Sequence, residues 1–334
     1  MRDKRFIFFL LGLAIGVASI WAMVQSQQVQ KPEKQVQQET YVSKVIIQAP
    51  WGAKNLVYDK EESKPGEFGH HSSEEATIAP NTFAVAPNGD IYMVDPLNKR
   101  IQRCNKDGQF ISVIPIPRRV SICYICVDRN DNLYGADYGK KIGYIYKYDQ
   151  KGNILKTYPV FTGISNTGQT LHCDNLGRIF ISARGVGFFQ VGTSADSFSL
   201  DYQRANAKDG FMGATPCALD NNWFFKRDVS LGPVFLMGLT DGAKLKTFKS
   251  MDGGFWGMDE NGAIYTFDDA DEPRNHIVRK YDQSGNLICS FKNSYQEPWV
   301  GGDRFAHLDN KGNIYFYIYS HGGGLKIIKW YKKP

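Results

Sequence analysis

The sequence predicts an all-β protein, a six-bladed β-propeller with an N-terminal transmembrane helix. One observation is a unit of short apolar strands and Asn/Asp-Gly turns that recurs from residue 82 to the C-terminus. Another is its spacing of 42, 46, 45, 40 and 50 residues, measured between equivalent tight-turn positions at Gly89, Asp131, Gly177, Asn222, Gly262 and Gly312. A period of roughly 40–50 residues with about four strands per unit is typical of propeller blades.

The first unit, residues 82–111, is the clearest copy. Three short apolar runs alternate with polar residues, and turns at Asn88-Gly89 and Asp107-Gly108 separate them. This order predicts a four-stranded antiparallel meander. The stretch Phe83-Ala-Val-Ala-Pro-Asn-Gly-Asp-Ile-Tyr-Met-Val-Asp95, together with Asn98-Lys-Arg-Ile101, resembles an NHL repeat.

The NHL resemblance covers Tyr41 to the C-terminus. It is sharp in units one and two, fair in units five and six, and weak in units three and four. It implies a six-bladed β-propeller. The family includes binding modules, receptor ectodomains and a few lyases, so the fold by itself implies little about function.

The N-terminus predicts a membrane anchor in residues 1–24. Arg2, Lys4 and Arg5 precede an uncharged apolar run of 19 residues, Phe6–Val24. About 20 apolar residues span a bilayer as a helix. A cleaved signal peptide is the alternative, but the run ends without a small-residue cleavage site. Basic residues on the N-terminal side place that end in the cytoplasm, which predicts a single-pass cell-membrane protein with an extracytoplasmic propeller.

Residues 25–40 predict a flexible tether. They are rich in Gln, Lys and Glu and nearly free of apolar side chains, so they cannot bury enough surface to order themselves. The propeller then occupies residues 41–334. The strand Tyr41–Ile47 belongs to no N-terminal meander, while the sixth unit ends about one strand short. We therefore expect this strand to complete the last blade and close the ring, which removes an exposed sheet edge.

Three long segments between strands are candidate binding loops: residues 61–75, 196–208 and 268–275. Binding residues often lie on loops held by a rigid scaffold. The last segment carries carboxylates, of which Asp268, Asp269 and Asp271 are candidate binding residues for Ca²⁺. It lacks the ligand spacing of an EF-hand loop, and a solvated acidic loop is the alternative.

Two histidines interrupt a column of small residues in the first strand of each unit: Ala84, Cys126, His172, Ala218, Gly257 and His307. His172 and His307 belong to units three and six, which stand opposite each other in a six-fold ring. The resemblance to NHL-like lyases implies histidines near the axis, with a metal in some members. His172 and His307 are therefore a candidate binding and metal site for a divalent ion, although no third ligand is evident. The alternative is that each ring packs between blades.

The six cysteines are expected to be mostly small buried side chains: Cys104, Cys123, Cys126, Cys173, Cys217 and Cys289. Cys123 and Cys126 form a C-x-x-C at a strand start, where residues three apart point to opposite faces and cannot easily bond. One disulfide between adjacent blades is an alternative that the sequence leaves open. Cys126 and Cys173 lie one strand position apart in the repeat register, so they face opposite sides of neighbouring blades.

Charge and composition narrow the range of possible functions. The net charge is +6, but the basic residues are dispersed, which argues against nucleic-acid binding. No catalytic motif with a defined spacing is evident. The favoured hypothesis is a binding or interaction module for a protein, peptide or glycan at the cell envelope. The alternatives are a lyase- or hydrolase-like enzyme using the axial histidines, and a structural subunit of an envelope complex. No cofactor is predicted except a divalent metal at that histidine pair.

Overall fold

The computed structural model describes seventeen stretches of the chain. They are residues 39–52, 64–72, 77–137, 142–161, 169–173, 177–183, 187–193, 204–205, 213–216, 223–227, 234–238, 244–248, 251, 254–269, 276–293, 306–320 and 323–334. All of them belong to the unit Glu39–Pro334. Among the described residues, no helix has the length and apolar character needed to cross a bilayer.

The described regular structure is β throughout. The first strands are β1 (Tyr41–Ala49), β2 (His71–Ser72), β3 (Thr77–Ile78), β4 (Thr82–Val85), β5 (Ile91–Asp95), β6 (Arg100–Cys104), β7 (Phe110–Pro115), β8 (Ile122–Val127), β9 (Leu133–Asp137), β10 (Ile142–Tyr148), β11 (Ile154–Phe161), β12 (Gln169–Cys173) and β13 (Arg178–Ala183). The remainder are β14 (Gly187–Thr193), β15 (Arg204–Ala205), β16 (Gly213–Pro216), β17 (Trp223–Arg227), β18 (Val234–Gly238), β19 (Lys244–Phe248), β20 (Gly254–Met258), β21 (Ile264–Asp269), β22 (His276–Tyr281), β23 (Leu287–Asn293), β24 (Ala306–Leu308), β25 (Ile314–Ser320) and β26 (Gly324–Lys332).

These strands form six four-stranded antiparallel sheets and one short pair, β2–β3, within the described residues. In chain order the sheets are sheet 1 (β4–β5–β6–β7), sheet 2 (β8–β9–β10–β11), sheet 3 (β12–β13–β14–β15), sheet 4 (β16–β17–β18–β19), sheet 5 (β20–β21–β22–β23) and sheet 6 (β24–β25–β26–β1). The first strand of each sheet contacts a strand of the preceding sheet, and β24 also contacts β4.

Sheet 6 contains both ends of the described chain. The N-terminal strand β1 pairs antiparallel with β26, from Tyr41 opposite Lys332 to Ala49 opposite Leu325. The strand therefore extends two residues beyond the expected Tyr41–Ile47. Its register shifts between Val45 and Ile47.

The apolar core lies between neighbouring sheets, and sheet 1 is covered on both faces by its two neighbours. In β5 all five residues are buried. Ile91 and Met93 pack in one cluster with residues of sheet 6, whereas Tyr92 and Val94 pack in another with residues of sheet 2. Successive strand residues point to opposite faces, so a continuous apolar run indicates a sheet packed on both sides.

A hydrogen-bonded turn joins the first and second strands of several sheets. In sheet 2, the Asp128 carboxylate accepts bonds from the backbone N–H groups of Asn130 and Asn132, at 2.8 and 3.0 Å. Its other oxygen accepts a bond from the Tyr134 hydroxyl at 3.1 Å. Equivalent Asp–Tyr bonds join Asp259 to Tyr265 at 2.9 Å and Asp309 to Tyr315 at 3.1 Å.

A cation on the third strand completes each of these units. The Lys147 ammonium lies 6.0 Å from the centre of the Tyr134 ring, which it faces across the β9–β10 pair. The same contact recurs between Lys280 and Tyr265 at 5.6 Å, between Lys329 and Tyr315 at 5.3 Å and between Arg103 and Tyr92 at 5.5 Å.

Left-handed backbone occurs where the sequence predicts tight turns. Gly89, Gly177, Gly262 and Gly312 have φ between 74° and 92°, and Asp131 takes the same conformation at 59°. Asn222, the remaining predicted turn position, lies outside the described residues. The turns between third and fourth strands have the same design, with positive φ at Gly108, Gly152 and Gly285.

Both kinds of turn lie on one side of the propeller, since an antiparallel meander alternates its connections between two edges. We call this side the turn face: residues 86–90, 105–109, 128–132, 149–153, 259–263, 282–286 and 309–313. The opposite side, which carries the described connecting segments 64–72, 96–99 and 116–121, is the connection face. The chain enters β1 at the turn face, because the Tyr41 hydroxyl donates to the Gly312 carbonyl at 3.3 Å.

Two glycines with the same backbone provide a test of how sheet 1 packs on sheet 6. Gly108 and Gly285 have φ of +85° and +87° at equivalent turns. A Cβ at Gly108 would overlap the Ile46 carbonyl of β1, whereas one at Gly285 would meet nothing within 4 Å. Gly285→Ala should lower the free energy of unfolding by roughly 1–2 kcal/mol through its φ alone. Gly108→Ala should cost at least about 1 kcal/mol more in denaturant titrations, since backbone must move. Equal costs would contradict the contact.

Candidate functional site

The two predicted axial histidines lie on the first strands of sheets 3 and 6. His172 is the fourth residue of β12 and His307 is the middle residue of β24, and both side chains are half-buried. Burial lowers the pKa of each imidazole to about 4, and a charge on His307 lowers the pKa of His172 further. The structure therefore brings the two rings near enough for protonation of one to oppose protonation of the other.

His307 also has aromatic neighbours. Its ring centre lies 6.2 Å from that of Phe83 in sheet 1 and 6.4 Å from that of Tyr315 on the adjacent strand. Asp309, two residues further on, raises the pKa of His307 against the larger effect of burial. Both imidazoles are neutral at pH 7, which is the form that ligates metals.

The described residues fit a metal at this position only in part. Two neutral imidazoles supply two nitrogen donors, and catalytic zinc sites use three protein ligands. Among the described residues, no group of three or more His, Cys, Asp or Glu side chains is placed to hold a metal ion. The nearby Asp309 carboxylate already accepts bonds from its own turn and from Tyr315.

The predicted acidic loop is placed only in part. Asp268 and Asp269 are the last residues of β21, and their backbones pair with Ile277 and His276. The strand thus extends two residues into the segment expected to be loop. Asp271 lies outside the described residues.

A segment that leads into sheet 1 is held firmly on the connection face. The Arg100 guanidinium donates to the carbonyls of Lys64 and Glu67, at 3.0 and 2.7 Å. The Gln102 amide accepts from the Gly66 N–H at 2.8 Å. Residues 64–69, part of the predicted loop 61–75, are therefore fixed to the third strand of sheet 1.

Asp95 anchors the same segment from the second strand. Its fully buried carboxylate accepts from the Gly69 N–H at 3.2 Å and from Arg100 Nε at 3.1 Å. Burial raises the pKa of Asp95, while Asn98, Arg100 and the Gly69 N–H act in the opposite direction. A buried ion pair that lost one partner would leave an uncompensated charge, so this network resists opening.

Two aromatic rings extend this ordered surface. His70 stacks on Trp51 with ring centres 4.6 Å apart, and Trp51 forms an isolated β-bridge with Phe68. The His70 ring is half-buried against Trp51, so this part of the predicted loop 61–75 is packed on the scaffold. The sequence signal for this surface was weak: polar residues at buried strand positions, Asp95, Arg100 and Gln102.

Cys126 and Cys173 form a disulfide between sheets 2 and 3, with their Cα atoms 5.9 Å apart, which is the kind of inter-blade disulfide that the sequence left open; neither is a buried free thiol. Cys104 and Cys289 are buried thiols as expected, and Cys217 lies outside the described residues. The register shift in β8 places Cys123 against the same cluster as Cys126, rather than on the opposite face. A bulge breaks the alternation that the sequence argument assumed.

A polar cleft of about 540 Å³ opens between sheets 5 and 6 at the turn face. Glu39, the first described residue, bridges Lys280 at 2.7 Å and Lys332 at 2.8 Å. Burial is the largest single effect and lowers the pKa of Lys280, but the hydrogen bond to Glu39 and the charges of Tyr41, Glu39 and Asp259 together outweigh it, and the net shift is upward. These two ion pairs join the start of the described chain to sheet 5, through Lys280, and to the C-terminal strand β26, through Lys332.

Comparisons with known proteins address the fold. No protein-family model and no curated protein matches the chain. A protein of unknown function from Bacteroides caccae is similar with a TM-score of 0.50 and 14% identity, over 77% of this chain and 95% of that chain. The WD40 β-propeller domain of Doa1 has a TM-score of 0.45 and 11% identity, over 78% and 84%. The predicted all-β propeller fold is confirmed, and the chain is a β-propeller.

The lowered pKa values of His172 and His307 predict a pH dependence of stability. Unfolded histidine titrates near 6.5 and the folded pair near 4, so the unfolded state binds protons first as pH falls. Stability should fall between pH 6.5 and 4. In the variant with both His172→Gln and His307→Gln, the free energy of unfolding should fall less over this window, by on the order of 2 kcal/mol. Above pH 7 the difference in this free energy between the two proteins should stay constant. Parallel stability curves down to pH 4, measured by urea unfolding, would show that the pKa values of the two imidazoles are not lowered in the folded protein.

Proposed function

We propose that the protein is a membrane-tethered, extracytoplasmic six-bladed propeller of the NHL type. In this proposal it acts as an interaction module that binds a protein, peptide or glycan through the connection face. The observation that carries the binding role is the ordered connection-face segment, residues 64–72. It is held by buried polar side chains rather than by apolar packing alone.

Six blades are supported by the six four-stranded sheets and by the contact between β24 and β4. Ring closure by β1 is supported by its pairing with β26. In this arrangement the first and last described strands share a sheet, so the ring opens only if that pairing breaks. The NHL assignment is supported by the repeat sequence, above all in sheets 1 and 2.

The membrane tether is supported by the basic residues and the apolar run Phe6–Val24. An extracytoplasmic location has independent support in the disulfide between Cys126 and Cys173. Disulfides persist in oxidising compartments and are rare in the cytoplasm. Two unrelated features of the chain thus favour the same side of the membrane.

The connection face is suited to binding because a fixed surface loses little conformational entropy when a partner docks. Arg100 and Gln102 hold residues 64–69 through backbone carbonyls and N–H groups, so the shape there does not depend on the partner. Arg118 and Arg119 are exposed on the same face, between sheets 1 and 2. Their guanidinium groups suit carboxylate-bearing ligands.

An enzymatic role at the axis is the second candidate, and the effect of a charge on His307 on the pKa of His172 favours it. With two donors in the described residues, a metal would need a further ligand from elsewhere in the chain. Zinc binding that is lost in the double His→Gln variant would support this role. Unchanged zinc binding in that variant would contradict an enzymatic role for the two histidines.

The interaction role is tested in cells with a photo-reactive amino acid at one position at a time. At Arg118 or Arg119 we expect a discrete higher-mass adduct, because the connection face holds the partner. At Arg129, an exposed arginine on the turn face, we expect no protein adduct.

The protein should also fractionate with membranes and be digested by protease added outside. Adducts at Arg129 but not at Arg118 or Arg119 would contradict the assignment of the binding face.

A further inference from the structure

The connection face combines exposed aromatic surface with two exposed arginines where sheets 1 and 2 meet. We propose that this place binds a peptide segment in which an acidic residue lies next to an apolar or proline residue. The inference rests on the proposed binding role of the connection face, and it adds the chemical class of the ligand. We call the place the seam site: Arg118, Arg119, Asp137, Tyr144, Tyr146 and Pro159.

Tyrosines on β10 form the floor of the seam site. Tyr144, Tyr146 and Tyr148 alternate along the strand and therefore point to one face, with successive ring centres 6.3 and 6.4 Å apart. Tyr148 is fully buried in the core between sheets 1 and 2, and Tyr146 packs against that core. Tyr144 is 36% exposed, and the exposed Pro159 lies directly opposite it on β11. A buried base thus holds an exposed apolar shelf in a fixed position.

The position of Tyr144 in its sheet is unusual. The other exposed large apolar side chains among the described residues all lie in the outermost strand of a sheet. Tyr144 lies in an inner strand, on the face directed towards sheet 1. Sheets 1 and 2 therefore leave a gap between them at the connection face, and an aromatic ring lines it.

The connection between β7 and β8 forms the cationic wall of the site. Residues 117–120 make a tight turn, closed by a 2.9 Å bond from the Val120 N–H to the carbonyl of the first residue. Arg118 and Arg119 are the two central residues of this turn, and both are exposed. The Lys99 ammonium donates to the Val120 carbonyl at 3.2 Å. The backbone that carries the two guanidinium groups is therefore fixed before a ligand arrives.

Asp137 joins this turn to the tyrosine shelf. It lies opposite Tyr144 in the β9–β10 pair, and its carboxylate accepts a bond from the Ser121 N–H. Burial raises the pKa of Asp137, whereas the Ser121 N–H and the Lys99 charge lower it. Burial, and next the charge of Asp137, raise the pKa of Tyr146. The arginine turn and the shelf are thus parts of one site.

The charge at the seam site is positive on balance. Among the described residues, three cations lie there, Lys99, Arg118 and Arg119, against one carboxylate, Asp137. The carboxylate is half-buried and already engaged, whereas both arginines are exposed. The charges that a ligand meets first are therefore the two guanidinium groups.

Two further described carboxylates at this end of sheets 1 and 2 are engaged elsewhere. Asp95 is fully buried and pairs with Arg100 at 3.1 Å. The Glu67 carboxylate accepts from the Lys64 N–H at 3.0 Å. Both belong to the network that holds residues 64–69, so neither occupies the arginines of the seam site.

This combination favours an acidic peptide over a glycan. Arginine binds carboxylates through paired, charge-assisted hydrogen bonds, and clusters of arginine recognise acidic peptide motifs. Tyrosine and proline offer rigid apolar area on which an apolar or proline side chain can pack. Sugar hydroxyl groups need acceptors as well as donors, and the one described carboxylate of the site is already bonded.

The test selects ligands from a library of random heptapeptides displayed on phage, with the full chain held in lipid nanodiscs. Selected peptides should carry Asp or Glu beside an apolar residue or proline. Selection on the variant with both Arg118→Glu and Arg119→Glu should instead yield peptides with Lys or Arg. Binding of a selected acidic peptide should weaken as salt is raised, because salt screens the attraction.

Matched variants locate the binding of a selected synthetic peptide, measured by fluorescence polarisation. The double arginine reversal should weaken binding at least about tenfold, since charge-assisted bonds are lost. Tyr144→Ala should weaken it about tenfold through lost packing. The controls are Lys106→Glu with Lys151→Glu, an equal charge change on the turn face, and Leu155→Ala, an exposed apolar side chain outside the site. Both controls should bind the peptide as the unaltered chain does.

Four outcomes would overturn the inference. Selected peptides without acidic residues, or binding that survives the double arginine reversal, would show that the arginines do not choose the ligand. If no peptide is selected but oligogalacturonate binds and is lost in that variant, the ligand is an acidic glycan. The inference is then wrong, while the binding role of the connection face stands. If no peptide is selected and no adduct forms at Arg118 or Arg119 in cells, that role is wrong as well.

Discussion

The hydrogen bond between a turn aspartate and a tyrosine on the following strand is the interaction on which the architecture depends. Asp128, Asp259 and Asp309 each satisfy their own turn and bind the tyrosine six residues later. One carboxylate thus fixes the turn, the start of the second strand and a buried phenol. A third-strand cation over each ring adds charge complementarity in a partly buried setting.

This unit determines where function can lie. It fixes the turns between first and second strands, and the antiparallel meander places the turns between third and fourth strands on the same side, so the longer connecting segments lie on the opposite side. There the Asp95 and Arg100 pair holds residues 64–69 as part of the rigid scaffold. The turn face keeps the chain entry at Glu39 and carries both lysines and carboxylates at its tight turns.

Local chemistry made the sheets predictable from the sequence. Gly89, Gly177, Gly262 and Gly312 mark a backbone that side-chain-bearing residues rarely adopt, so the repeat is visible even where its apolar residues vary. Asp131 takes that backbone without glycine. The disulfide between Cys126 and Cys173 and the Trp51–His70 stack were less predictable, because they join residues whose distance depends on how sheets pack. The bulge at Cys123 likewise reversed a face that strict alternation had assigned.

Sheet 1 offers an internal comparison for the central interaction. Ala86 stands where the other turns have aspartate, and the buried Tyr92 hydroxyl has no hydrogen-bond partner among the described residues. Tyr134 has its partner in Asp128. The free energy of unfolding should fall by about 1–2 kcal/mol in Tyr134→Phe, because the buried Asp128 carboxylate loses one of its donors. In Tyr92→Phe it should stay unchanged or rise. Equal losses in the two variants would contradict the account.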